Sequence, residues 1–121
     1  MNNFTFFKLL KEKASYQTGL FGKFLNVCPE DPPPGFDAWY ANGGGSYFAP
    51  SFFVQNVSGL PDGPVNYNQS DYSTALIGNY SLAWIKQAAT TYLETKQPFI
   101  AYIAPKANHD PFLPAPWYQD V

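Results

Sequence analysis

The run Phe-Ile-Ala-Tyr-Ile-Ala at residues 99–104 constrains the fold most, because one proline stands directly before it and another directly after it. Proline lacks a backbone donor and interrupts regular structure, so the run has the length of a single strand. Its nearly continuous apolar character is typical of a parallel strand that is covered on both faces. We therefore predict a central strand in an α/β sheet, which needs further strands and covering helices.

Two segments show the helical periodicity that such a sheet requires. Residues 3–14 place apolar side chains on one side and lysines on the other, which predicts an amphipathic helix. Residues 70–93 repeat apolar side chains at helical spacing after Ser70 or Asp71, either of which can cap a helix. Twelve prolines and nine glycines in 121 residues exclude a helical bundle over the whole chain.

The rest of the chain is predicted to hold one more strand and a long loop. A strand is expected over residues 16–21, with Gly22 ending it and Lys23 following at once. Residues 27–64 contain a proline triplet and a glycine triplet, yet they are rich in aromatic side chains. This combination indicates a long packed loop with a short hairpin around residues 46–57. The predicted fold is α/β, with two or more strands, flanking helices and this aromatic-rich loop.

Two candidate catalytic side chains follow the two predicted strands. Lys23 follows the first strand, and His109, the single histidine, follows the second. Open α/β sheets bind ligands at the carboxyl ends of their strands. A lysine can hold an anion there as a point charge, and a histidine can act as a general acid or an anion ligand. A solvated lysine and a surface histidine remain the alternative interpretation.

Several functional classes are disfavoured by composition. The single cysteine, Cys28, excludes an internal disulfide framework and a multi-cysteine zinc site, and without an activating base we interpret it as unreactive. The acidic residues are scattered through loops and form no convincing metal-binding pattern. Seven lysines without any arginine, and a net charge of −2, argue against nucleic-acid binding. No apolar run approaches the roughly 18 residues of a membrane span.

The first residues carry no recognisable signal peptide, so the protein is expected to be cytoplasmic or to begin upstream in its complete form. Four N-x-Ser/Thr sequons bear on this point, and they begin at Asn3, Asn56, Asn68 and Asn79. Chance would supply about one sequon, so the excess favours a secreted or lysosomal protein with glycosylation at these positions. Enrichment of asparagine and serine in loops and helix caps is the equally weighted alternative.

Five blocks of the sequence are similar to known sequence patterns. Residues 15–26 are similar to GYxTGLFGKYLN, 34–39 to PPGWDxW, 72–85 to YxTDVIxNxSLDWI, 98–112 to KPFFLYVAPxAPHxPF and 114–118 to PAPxY. The patterns belong to sulfatases, and their order and spacing match over essentially the whole chain. The sequence therefore resembles the sulfatase family, and most of all its N-acetylglucosamine-6-sulfatase and arylsulfatase-like branch.

The resemblance implies an alkaline-phosphatase-like α/β fold, of which residues 1–121 would form an internal part of the amino-terminal catalytic domain. It also implies hydrolysis of sulfate esters of sugars or aryl alcohols by a formylglycine nucleophile and a calcium ion, in a secreted or lysosomal enzyme. By residue-to-residue match, Lys23 would stabilise the charge of nucleophile and sulfate, and His109 would protonate the leaving alcohol. Asn26 would line the substrate pocket.

The sequence departs from the family where the nucleophile and the metal are bound. No C/S-x-P-x-R motif exists, Cys28 lies in a different context, and arginine is absent. The acidic and amide residues that hold calcium in the family are missing, so no residue of this chain is identified as binding calcium or carrying formylglycine. Asn108 replaces the proline that usually precedes the histidine. We therefore expect a central sulfatase fragment that does not turn over alone.

Two other functions stay open. A non-catalytic sugar-binding or interaction module derived from a sulfatase would stack exposed aromatic side chains on sugar rings. The candidates for this role are Trp39, Tyr40, Tyr47 and Trp117, and their burial would weaken the hypothesis. A phosphodiesterase of the same superfamily is a third hypothesis, less supported because the matched blocks follow the sulfatase pattern.

Overall fold

The computed structural model describes residues 5–119, which fold around a five-stranded mixed sheet. The elements in chain order are α1 (Phe6–Ala14), β1 (Gln17–Lys23), β2 (Ala38–Asn42), β3 (Ser51–Gln55), β4 (Gly63–Asn66), α2 (Ser73–Thr95), β5 (Phe99–Ala104) and a short 3-10 helix (Pro116–Tyr118). The strand order is β4-β3-β2-β1-β5. β1 runs parallel to both β2 and β5, whereas β3 is antiparallel to β2 and β4.

The core of the molecule lies on both faces of β1 and β2. Leu20 and Trp39 point to one face, where they form a buried cluster. Phe21 and Tyr40 point to the other face and pack with Phe52. Side chains alternate between faces along a strand, so these neighbouring strands supply both clusters at once.

Helices and a loop cover these two faces. Ile77 of α2 is buried against one face, and the ring centroids of Trp84 and Phe21 lie 5.9 Å apart there. On the other face, Phe36 bridges helix and sheet, with its ring centroid 4.5 Å from that of Phe7 and 5.1 Å from that of Trp39. Tilted aromatic pairs of this kind stabilise beyond the area they bury.

Thr18 and Asp37 join the start of β1 to the start of β2. The Asp37 carboxylate accepts hydrogen bonds from the Thr18 backbone nitrogen at 2.9 Å and from the Thr18 hydroxyl at 3.1 Å. The Asp37 backbone nitrogen donates to the Thr18 carbonyl at 2.9 Å. Lys11 of α1 forms an ion pair with the same carboxylate. This network fixes the register of the two parallel strands and attaches α1 to them.

The prediction of a long loop over residues 27–64 is wrong, because β2 and β3 lie within it and β4 begins there. The expected hairpin around residues 46–57 is displaced toward the carboxyl terminus. β3 pairs with β4 in a hairpin over Ser51–Asn66, and the opposite edge of β3 pairs with β2. Proline and glycine triplets delimit β2 rather than breaking it. All five residues of β2 are buried, so tertiary packing on both faces outweighs its breaker-rich surroundings.

The strand predicted over residues 16–21 continues to Lys23, since Gly22 stays in the ladder instead of ending it. Gly22 has a φ of +109°, and a Cβ at this position would lie 2.1 Å from the carbonyl oxygen of Ala104. Only glycine therefore allows this close approach of β1 and β5.

The strand predicted over residues 99–104 forms with those bounds, but it is not central among the described residues. β5 pairs with β1 alone within residues 5–119, and the side chains of Tyr102 and Ile103 are 48% and 45% exposed. The central position belongs to β2, and β1 lies between it and β5. The described residues supply covering elements for β1 and leave part of β5 uncovered.

Both predicted helices form, with different ends. α1 begins at Phe6, and the Thr5 side chain caps it by accepting from the Lys8 backbone nitrogen at 3.0 Å; the predicted start at Asn3 lies outside the described residues. α2 spans Ser73–Thr95, and neither Ser70 nor Asp71 caps it. Asp71 accepts instead from the Asn68 backbone nitrogen at 2.8 Å, within the preceding turn.

Candidate active site

A cavity of about 310 Å³ opens where β1, β2 and β5 reach their carboxyl ends. Lys23, the last residue of β1, lines it together with residues 43–45, which follow β2. Pro105, Lys106 and His109, which follow β5, complete the lining. Because the three strands are parallel, their carboxyl ends meet at one edge of the sheet, where α/β folds bind ligands. The structure thus brings Lys23 and His109 to one cavity.

The half-buried Lys23 lies alongside the glycine loop that follows β2. A Cβ at Gly44 would lie 3.6 Å from the lysine Nζ atom, and Gly44 has a φ of +108°, which disfavours any larger residue. Asn42 holds this loop, because its side-chain oxygen accepts from the Gly44 backbone nitrogen at 3.0 Å. Within residues 5–119 the ion pairs involve lysines of α1, so the Lys23 ammonium group has no carboxylate partner there.

His109 lies in a tight turn after β5. Its backbone nitrogen donates to the Lys106 carbonyl at 2.9 Å. Its Nδ1 atom lies 2.8 Å from the carbonyl oxygen of Asp110. A carbonyl can only accept, so Nδ1 carries the proton and Nε2 is the atom left for a substrate. The buried Tyr47 hydroxyl donates to the His109 backbone carbonyl and fixes the turn.

The charge of the cavity is positive. Two lysines and the histidine line it, and no aspartate or glutamate does. A concave site lined by charges of one sign attracts the opposite ion. The arrangement can therefore bind an anion and transfer a proton.

Neither a metal nor a sulfatase nucleophile fits the residues of this cavity. Across residues 5–119 no three His, Cys, Asp or Glu side chains come together as metal ligands. Cys28 packs against the cluster around Trp39 and does not line the cavity. Burial raises the pKa of its thiol to about 11, which keeps it protonated at neutral pH and supports its interpretation as unreactive.

Asn26, predicted to line the substrate pocket, is exposed and does not line this cavity. Its backbone carbonyl oxygen would lie 2.6 Å from a Cβ at Gly43, so its loop packs against the glycine loop. A role for Asn26 in substrate binding stays a prediction.

The sequon residues lie away from the cavity. Asn3 is outside the described residues, while Asn56, Asn68 and Asn79 are exposed. The side-chain nitrogen of Asn56, the atom that a glycan would modify, donates to the Asp37 carbonyl at 2.8 Å. Glycosylation of these residues stays a prediction.

A larger concavity, of about 690 Å³, lies by the start of β1 and is lined in part by Gln17, Asp37 and Trp84. It contains no lysine, histidine or cysteine. It therefore offers no group of the kind that the strand-end cavity provides for binding an anion.

Sequence reasoning missed two parts of the site. The sequence predicts a long loop around the glycine triplet at residues 43–45, whereas the triplet directly follows β2, a position typical of a loop that approaches a ligand. Lys106 is not among the candidate residues predicted from the sequence, yet it lines the cavity with Lys23 and His109.

Comparison with known proteins decides the family. N-acetylglucosamine-6-sulfatase of Homo sapiens is 33% identical over 122 residues, covering 95% of this chain and 21% of that protein. The enzymes of that name from Capra hircus and Bos taurus are 31% identical over 124 residues, covering 97% of this chain and 21% of each. The chain is a sulfatase-family segment. It spans about a fifth of the length of these sulfatases.

The fold of the sulfatase segment agrees with this assignment. A solved sulfatase structure, described under the metabolism of multiple glycosaminoglycans by Bacteroides thetaiotaomicron, superposes with a TM-score of 0.61 at 18% identity. The match covers 89% of this chain and 26% of that one. The predicted alkaline-phosphatase-like α/β fold is therefore confirmed, as a partial one. No family model matches the sequence. None of the helices in residues 5–119 has the length and apolar character needed to span a membrane.

Proposed function

We propose that this chain supplies the sulfate-binding lysine and the proton-donating histidine of a sulfatase active site. The observation that carries the proposal is that Lys23 and His109 line one cavity that has no carboxylate. The complete protein would hydrolyse sulfate esters of sugars or aryl alcohols, in a secreted or lysosomal setting. The names of the curated relatives support N-acetylglucosamine 6-sulfate as a substrate.

Lys23 would bind the sulfate oxygens. Lys23 is half-buried at the end of β1, an interior strand, and its ammonium group has no competing carboxylate among the described residues. A fixed charge in a partly water-excluded site stabilises the negative charge of the transition state more strongly than the same charge in water.

His109 would act as the general acid. In the imidazolium form, Nδ1–H stays hydrogen-bonded to the Asp110 carbonyl and Nε2–H points its proton to the oxygen of the leaving alcohol. Transfer of the Nε2 proton leaves a neutral imidazole that keeps Nδ1–H, so the same hydrogen bond holds the ring before and after the step. An alcohol leaves readily only when its oxygen is protonated, and histidine titrates in the range where this is efficient.

The chain by itself would bind a sulfate ester without hydrolysing it. In a complete sulfatase, formylglycine and calcium supply the attack on sulfur and the binding of sulfate oxygens. The residues of this chain fit neither group, since there is no acidic cluster within residues 5–119 and no arginine in the sequence. Residues outside this chain would have to provide them.

Two measurements test the proposal. Titration of the purified chain with N-acetylglucosamine 6-sulfate, followed by amide NMR shifts, should show binding that Lys23→Met weakens about tenfold, the effect of losing one charge contact. Lys86→Met, on the exposed side of α2, is the matched control. A chromogenic aryl sulfate with calcium should release no product. Binding unchanged in Lys23→Met, or turnover that disappears in His109→Ala, would contradict the proposal.

The sugar-stacking alternative loses its support in the structure. Trp39 and Tyr40 are 0% exposed and Tyr47 is 3% exposed, so they cannot stack on a sugar ring. Trp117 alone of the four is accessible, at 60%. One exposed tryptophan is ordinary on a protein surface and does not define a sugar-binding face.

A further inference from the structure

Lys106 places a second ammonium group at the candidate active site. The residue is half-buried, and its Nζ atom lies 5.4 Å from the centroid of the Tyr47 ring. Tyr47 is buried and is itself hydrogen-bonded to the His109 backbone. The face of an aromatic ring attracts a cation, so this arrangement holds the Lys106 ammonium at the cavity wall.

The cavity carries more positive charge than one sulfate ester needs. Such an ester has a single negative charge, whereas the two lysines bring two positive charges to the lining. No aspartate or glutamate lines the cavity, and Lys106 forms no ion pair within residues 5–119. If Lys23 binds the sulfate to be cleaved, the charge of Lys106 is left for another oxyanion.

We infer that Lys106 binds a second anionic group of the substrate, a sulfate or a carboxylate on the same or the adjoining sugar ring. The inference rests on the proposed function, because it assumes that Lys23 holds the first sulfate. A cavity of about 310 Å³ lies at the small end of ligand sites, so the second group must sit close to the first. Lys106 would thus select multiply charged sugars over singly sulfated ones.

The test compares three probes with the purified chain by amide NMR titration at low salt. The probes are N-acetylglucosamine 6-sulfate, a disulfated N-acetylglucosamine, and a disaccharide that joins the monosulfated sugar to a uronic acid. Lys106→Met and Lys106→Gln remove the charge. Lys96→Met is a matched control, because the Lys96 Nζ atom also lies over a tyrosine ring, 5.6 Å from the Tyr92 centroid, and lines none of the cavity.

The wild-type chain should bind at least one doubly charged probe about tenfold more tightly than the monosulfate. Both Lys106 variants should lose that preference, with a larger loss of affinity for the doubly charged probe than for the monosulfate, whereas Lys96→Met should retain the preference. The probe that shows the preference tells whether the second group is a sulfate or a carboxylate. Equal affinity for all probes in the wild type, or a preference that survives in both Lys106 variants, overturns the inference and leaves the proposed function intact. Absence of any binding, or monosulfate binding that does not depend on Lys23, overturns both.

Discussion

The buried Tyr47 hydroxyl donates a hydrogen bond to the backbone carbonyl of His109, across 62 positions of sequence. The same tyrosine ring lies under the Lys106 ammonium group. One core side chain therefore positions two of the three charged residues of the candidate site. Removal of this side chain's contacts should therefore loosen the turn after β5 more than it destabilises the sheet.

Tyr47→Phe should lower the free energy of unfolding by about 1 kcal/mol, the usual net worth of one hydrogen bond, while the ring stays in place. Amide exchange at His109 and Phe112 should accelerate, because their turn loses its attachment to the core. Urea denaturation and hydrogen exchange measure the two effects. Tyr118→Phe, at an exposed position with no hydrogen bond to its hydroxyl among the described residues, is the control. Unchanged exchange in Tyr47→Phe would show that the turn is held by other contacts.

Asp37→Ala should lower the free energy of unfolding by about 2–3 kcal/mol, because it leaves the Thr18 backbone nitrogen and the Lys11 ammonium without their carboxylate. Asp31→Ala, at an exposed loop position, should change it by less than about 0.5 kcal/mol. Thr18→Val removes the partner hydroxyl. The double variant should therefore lose less than the sum of the single losses, and strict additivity in urea denaturation would argue against coupling.

Gly22→Ala should destabilise the fold by at least about 2 kcal/mol, because the added Cβ meets the Ala104 carbonyl at a φ that alanine avoids. Gly78→Ala is the opposite case. Gly78 lies within α2, and a Cβ there would meet nothing within 4 Å. That variant should stabilise by about 0.5–1 kcal/mol. Thermal unfolding measures the stability of both variants against the wild type. A Gly22→Ala variant as stable as the wild type would refute the close approach of β1 and β5.

The Cys28 thiol should react slowly in the native chain. Burial raises its pKa to about 11, so roughly 0.1% is thiolate at pH 8, against about a quarter for a free cysteine. Alkylation by iodoacetamide should therefore be about 200 times slower than in denaturant. The rate should rise about tenfold for each pH unit between 8 and 10, since the acid form dominates throughout. A rate that levels off near pH 8.5 would show an ordinary thiol.

The sequence predicts the elements whose local pattern agrees with their final environment. Residues 99–104 form a strand with the predicted bounds because an apolar run between two prolines has no competing structure. β2 is missed because its five residues lie between breaker-rich segments and become a strand through packing on both faces. The edge position of β5 is missed for a related reason. An apolar run indicates that the faces of a strand are buried, but it does not show which residues bury them.

Part of the candidate site is predictable, because α/β sheets bind ligands at the carboxyl ends of their strands. Lys23 and His109 each follow a predicted strand, and parallel strands bring their carboxyl ends together. Lys106 and the glycine loop are harder to predict, because their place at the cavity depends on Tyr47 and Asn42 contacts that only the folded chain provides. Asn26 illustrates the opposite error, since proximity in sequence to Lys23 does not bring it into the cavity lining.

The partly uncovered β5 also bears on how this chain behaves at high concentration. Its outer side has no strand partner within residues 5–119, and Tyr102 and Ile103 stand exposed on it. An unprotected edge with apolar side chains is a template onto which another copy can add a strand. A purified chain of these residues is therefore expected to self-associate along β5 as its concentration rises.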